Sequence, residues 1–106
     1  MNIGIDLVAI KKFARVKKTD YAGWNKIFTA QEWVYAFRGT HAAEHLSAMF
    51  AVKEAAMKAS GRVGIENLKR FEVRHTAVGA PVLNDKGYKV SMSHDKGYAV
   101  AVVVIE

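Results

Sequence analysis

The stretch "MFAVKEAAMKA", residues 49–59, is small and apolar at most positions, yet it carries Lys53, Glu54 and Lys58. Ala48, Ala55 and Ala59 let another backbone approach closely, which suits a packed helix. Ser47, Ala51, Glu54 and Lys58 recur at spacings of four, three and four, so they share one side. Leu46, Phe50 and Met57 fall on an adjoining stripe. A helix is expected from about Ala42 to Ala59, with Gly61 as its C-terminal stop. Glu54 and Lys58 stand four apart in the favourable order, and a surface ion pair of that kind contributes about 0.3–0.5 kcal/mol. The other reading gives Glu54 to a metal and Lys58 to a phosphate, and it needs partners from elsewhere in the chain.

One such partner lies near the start. "NIGIDLV", residues 2–8, alternates as a strand does. Ile3, Ile5 and Leu7 are expected on a buried apolar face, with Asn2, Gly4 and Asp6 opposite. Gly4 has no side chain to block a ligand approaching Asp6. Asp6 suits a helix cap or a magnesium site, since Mg²⁺ takes one or two carboxylates plus substrate oxygens and water. "VAIKKFARVKK", 8–18, reads as a short helix with Lys11, Lys12, Arg15, Lys17 and Lys18 within eight positions. "TDYAGWNKIF", 19–28, reads as a loop anchored by Trp24 and Phe28. "TAQEWVYAFR", 29–38, opens a helix with a capping box of Thr29 and Glu32. Beyond Gly61 the pattern turns to strands in "FEVRHTAV", "GAPVL", "YKVSMSH" and "YAVAVVVI". Asp-Lys-Gly precedes Tyr at both 85–88 and 95–98, which predicts hairpin loops with glycine at positive φ and a meander of antiparallel strands.

At 106 residues one domain over 1–106 is expected, and a chain this short gains from oligomerisation. Sixteen Lys and Arg against ten Asp and Glu give a net charge of +6, which favours anionic partners. The absence of cysteine excludes disulfides, thiolate catalysis and Cys-based zinc sites. No apolar run is long enough to span a bilayer, and "MNIGIDLVAI" lacks the basic flank and cleavage site of a signal peptide. A cytosolic protein without a membrane partner is expected. His41, His45 and His75 show no metal-site spacing, and neither a Walker A pattern nor GxGxxG occurs. Taken alone, Ser91, Ser93 and His94 are ordinary strand and turn residues.

Three stretches in order nevertheless resemble one family. "GIDLVAIKKF" is similar to its opening signature, "FAVKEAAMKA" to its central helix, and "VSMSHDKGYAVAVVV" to its closing strand pair, with "IFTAQEW" between. The family is the holo-acyl-carrier-protein synthases, the small 4′-phosphopantetheinyl transferases. The resemblance implies an α+β fold, a small antiparallel sheet with packed helices in the 4′-phosphopantetheinyl transferase arrangement. It implies Mg²⁺-dependent transfer of phosphopantetheine from coenzyme A to a serine of acyl carrier protein in fatty acid biosynthesis. By motif position, Asp6 and Glu54 hold Mg²⁺, and Lys58 contacts phosphate with Lys53 assisting. Gly61, Ser93 and His94 adjoin coenzyme A, with His94 near the 3′-phosphate. Lys11, Lys12 and Arg15 engage the acidic, helical carrier. Glu54 or a metal-bound water takes the serine proton. The family is typically a homotrimer with its sites at subunit interfaces.

The chain departs from that pattern in three places. Met49 stands where an arginine is usual, Lys12 replaces an arginine, and the segment before "YKVSMSH" is short. Arg38, His45 or Arg62 are candidates to replace the missing arginine. Two other readings remain open. One is a basic nucleic-acid-binding module, although no RRM signature or KH GxxG loop is present and nucleic acid is not the expected partner. The other is a family member that binds coenzyme A or carrier protein without transfer.

Overall fold

A computed structural model describes residues 2–106. Strand β1 (Asn2–Ala9) leads through a 3-10 turn (Ile10–Phe13) and a second one (Lys18–Gly23) to helix α1 (Ala30–Ala36). Helix α2 (Ala42–Ser60) follows, then a 3-10 turn (Ile65–Asn67) and strands β2 (Val73–His75), β3 (Pro81–Leu83), β4 (Tyr88–Asp95) and β5 (Tyr98–Ile105). The strands form two antiparallel sheets rather than one meander: β1-β5-β4, and the β2-β3 hairpin. Helix α2 lies across the inner face of the larger sheet.

The two faces of β1 are the reverse of the sequence expectation. Ile3, Ile5 and Leu7 are 67%, 60% and 62% exposed, while Gly4 and Val8 are buried. The reason is backbone contact. A methyl group added at Gly4 would collide with the Ala55 carbonyl oxygen and lie 2.8 Å from the Ala59 nitrogen. What approaches Gly4 is therefore helix α2, not a ligand. The register sets Gly4, Asp6 and Val8 beside Val103, Ala101 and Ala99, and the last three are buried under the helix. Opposed residues share a face, so Ile3, Ile5 and Leu7 join Val104, Val102 and Val100 in an outer apolar stripe.

The short helix expected over 8–18 is only the Ile10–Phe13 turn, because Val8 and Ala9 complete the β1 ladder. Ile10 donates to the Gly97 carbonyl at 2.8 Å, and Phe13 drops into an aromatic cluster with Trp24, Phe28 and Phe50. The two Asp-Lys-Gly turns also differ. Lys96 and Gly97 both take positive φ and form a two-residue hairpin loop between β4 and β5. At 85–87, Asp85 Oδ1 instead accepts the Gly87 amide, and β3 and β4 do not pair. Gly61 ends α2 with φ 73, as its position predicts.

The capping box of α1 is present: the Glu32 amide donates to the Thr29 hydroxyl, and the Thr29 amide donates to Glu32 Oε1. Glu32 does more than cap. It is fully buried and pairs with Lys53 Nζ at 2.8 Å, while Oε2 accepts the Val73 amide at 2.7 Å. Lys53 spends its other protons on the Leu68 and Phe71 carbonyls, each at 3.0 Å. Burial pushes the Lys53 ammonium down, and the Glu32 charge opposes that shift.

Gly4→Ala should cost at least about 3 kcal/mol, since neither colliding backbone group can move without displacing α2. Urea unfolding of the variant against the parent protein measures this, and a midpoint within error of the parent would refute the close-packing account.

Candidate active site

Asp6 emerges from β1 two residues beyond Gly4, so the same close approach carries it to the flank of α2. There Lys58 Nζ donates to Asp6 Oδ1 at 3.1 Å and to the Ile5 carbonyl at 2.9 Å. Among the described residues no ion pair joins Glu54 to Lys58. The helical pair allowed by their spacing has given way to a bridge between α2 and β1. Lys58 remains about half exposed and has one proton left for an incoming acceptor.

Glu54, one turn before Lys58, lines a cleft of about 300 Å³ with Lys12, Trp24, Ile27, Phe50, Met57, Gly64, Ile65 and Leu68. Burial, with the nearby charge of Asp6, pushes the Glu54 carboxyl up, against the pull of Lys12 and Lys58. Glu54 in the apolar cleft thus stands close enough to the Asp6–Lys58 pair to feel both charges. Lys12 lies over the Phe50 ring at 4.2 Å and lines this cleft, while Lys11 and Arg15 are exposed and outside its lining.

The remaining expected residues are not gathered here. Lys53 cannot reach a phosphate: it is fully buried and all its protons are placed, so that expectation is corrected. Ser93 pairs with Val100 and shares the outer face of the sheet, opposite Asp6. His94 is on the face of Asp6 but two strands away, about 10 Å by strand spacing. Both are exposed. Gly61 ends α2 with open space around it, one turn from Lys58. Met49 is buried. Of the candidates to replace an arginine there, His45 faces the Ala36 carbonyl. Arg38 lies near Tyr35, whose ring stacks on His75 at 3.7 Å. Arg62 lines a separate cleft of about 400 Å³ with Arg70 and Lys86.

These features have counterparts in known proteins. A profile of the 4′-phosphopantetheinyl transferase superfamily matches residues 2–103. The chain belongs to that superfamily. It is 39% identical to a holo-[acyl-carrier-protein] synthase of Thermodesulfovibrio yellowstonii, over 97% of this chain and 96% of the relative. The Neisseria meningitidis holo-[acyl-carrier-protein] synthase superposes with TM-score 0.81 at 26% identity, covering 99% of this chain and 97% of that one. The Helicobacter pylori enzyme, solved in complex with coenzyme A, gives TM-score 0.80 at 27% identity, with 98% and 99% covered. The chain is thus an α+β protein of the phosphopantetheinyl transferase family.

Sequence reasoning missed the apolar lining of the Glu54 cleft. Trp24 and Met57 were visible as apolar residues, but Ile65 and Leu68 come from an irregular segment with no periodic signal.

The raised Glu54 carboxyl has a thermodynamic consequence. The folded protein holds that proton more tightly than the unfolded chain, so the contribution of Glu54 is complete below its unfolded value of about 4.3 and is lost as pH rises through the folded value. Glu54→Gln should therefore raise the Tm at pH 7 in divalent-free buffer, and the gain should disappear below about pH 4. Thermal unfolding at the two pH values measures it, and an unchanged or lower Tm at pH 7 would contradict the assignment.

Proposed function

We propose that this chain is a holo-acyl-carrier-protein synthase, moving 4′-phosphopantetheine from coenzyme A to a serine hydroxyl of apo-acyl carrier protein and supplying fatty acid synthesis in the cytosol. The bond from the carrier serine oxygen to phosphorus forms. The bond from phosphorus to the adenosine 3′,5′-bisphosphate leaving group breaks, and the serine proton departs. One observation carries the reading in this family: Asp6, Glu54 and Lys58 converge beside an apolar cleft bordered by cationic side chains.

Mg²⁺ fits the donor set, because two carboxylates with room for phosphate oxygens and water match its usual protein ligation. Asp6 and Glu54 would hold it, and it would supply Lewis-acid neutralisation of the pyrophosphate. Lys58 turns its remaining proton to a phosphate oxygen, adding a point charge where negative charge collects. Gly61 leaves the end of α2 open for the coenzyme A phosphates. The serine proton would pass to Glu54 or to a water beside it. Lys11, Lys12 and Arg15 steer the acidic carrier, whose helix seats an apolar side chain in the cleft of Phe50, Met57 and Leu68.

The assembly is a homotrimer. Its support is the outer sheet face, where Ile3, Ile5 and Leu7 are mostly exposed beside a valine row. Apolar surface of this continuity marks an interface. Ser93 lies on that same face, and His94 follows it on the exposed end of β4, turned to the other face. Across a subunit contact they would reach coenzyme A held at a neighbour's Asp6 and Glu54.

Intact-mass analysis of apo-acyl carrier protein, incubated with the enzyme, coenzyme A and Mg²⁺, should show the gain of one phosphopantetheine group. EDTA should abolish it, and Glu54→Gln should lower the rate by about 100-fold or more. No gain from folded enzyme would refute transfer. Ile5→Lys should convert the trimer to monomer in sedimentation velocity and reduce transfer at least about tenfold. A trimer that persists would exclude this face as the contact.

A further inference from the structure

Lys53 and Glu32 take no part in the chemistry, yet they form a fully buried and fully hydrogen-bonded ion pair. Their position explains why. Between Gly61 and β2 the chain makes one 3-10 turn, and its inner edge supplies Gly64, Ile65 and Leu68 to the cleft of Glu54. The hydrogen bonds of that turn are local, Asn67 to Gly64 and Leu68 to Ile65. Among the described residues, the only hydrogen bonds from α2 to residues 63–72 are the two from Lys53, to the Leu68 and Phe71 carbonyls. Glu32 ties the same segment at its far end through the Val73 amide, and it anchors Lys53 to the start of α1.

Lys53 and Glu54 are consecutive on α2, about 100° apart around the helix. One residue supplies the carboxylate at the cleft. The next fixes the wall across from it. The floor of the cleft, Phe50 and Met57, belongs to the same helix. Its width is therefore set by how far the Leu68 segment stands from α2, a gap that Lys53 spans by hydrogen bonds while Leu68 and Phe71 pack into the core beside it.

We propose that the Lys53–Glu32 pair is a positioning device for carrier recognition, holding the Ile65–Leu68 wall at the separation from Glu54 that an acidic amphipathic helix needs. The pair touches neither substrate. Phosphate binding by Asp6 and Lys58 depends on β1 and the end of α2, which the pair does not contact, so the donor side is untouched by it. The inference rests on the transferase reading above.

The test uses two variants. Glu32→Gln with Lys53→Met removes both charges at nearly constant volume and so avoids a lone buried charge. Glu32→Asp keeps both charges but shortens the pair by one methylene. Steady-state transfer is measured with apo-acyl carrier protein and coenzyme A varied separately, together with hydrogen exchange. The expected result is a rise of about tenfold in KM for the carrier, with KM for coenzyme A and kcat within about twofold of the parent. Amides 69–73 should exchange faster while those of β1 and β5 keep their protection. A carrier KM equal to the parent's in folded variants overturns the proposal. So does a parallel loss in kcat and both KM values, which means general loosening. Failure of both variants to fold also overturns it, leaving the pair a purely structural role. Absence of transfer by the parent enzyme is a separate outcome and refutes the underlying reading instead.

Discussion

The contact between Gly4 of β1 and the Ala55–Ala59 backbone of α2 is the constraint from which the site follows. It brings strand and helix closer than any side chain at position 4 would allow. Asp6, on the same face two residues on, therefore falls within reach of Lys58. Ala99 and Ala101 continue the small-residue surface on β5, and the sheet bears on the helix along its length. Without that approach the two carboxylates would belong to separate parts of the molecule.

Lys53, Glu54 and Lys58 of α2 illustrate how burial assigns different work to neighbouring residues. Lys53 faces the interior, where desolvating an ammonium is costly unless every proton is satisfied. Glu32 and two carbonyls satisfy them. Breaking such a buried pair by removing one partner typically costs about 3–5 kcal/mol. Glu54 faces a half-buried cleft and is held at a raised pKa by burial and Asp6. Lys58 reaches solvent at the end of the helix, where its cation also suits the negative pole of the helix dipole. A sequence that looks like alternating charge thus resolves into a buried structural ammonium, a carboxylate at a cleft and an ammonium bridging to β1, each set by its direction around the axis.

The outer face of the sheet complements this division. Among the described residues no element covers its valine, isoleucine and leucine row, whereas the inner face is closed by α2. The small size of Gly4, Ala99 and Ala101 is required by the helix, and the bulky residues of β1, Ile3, Ile5 and Leu7, stand on the outer face. That arrangement leaves Ser93 beside the exposed row, while His94 shares the face of Asp6 but stands two strands away from it.

Helix α2 and its glycine stop, the α1 capping box, and the strand character of β1, β4 and β5 were legible in the sequence. They depend on local periodicity and on backbone chemistry within a few residues. The motif residues Asp6, Glu54 and Lys58 were legible from the family resemblance. Period-two alternation in β1 separated its two faces correctly, but it could not say which was inside. Apolar residues outnumber glycine and aspartate there, yet burial follows from what the partner helix leaves room for. Lys53 looked like a candidate phosphate ligand because its partners, Glu32, Leu68 and Phe71, lie 15 or more residues away. Secondary structure along this chain was written in nearest-neighbour preferences. Which charge was buried, which face was open and where the cleft lay were decided by contacts that exist only after β1 and α2 have packed.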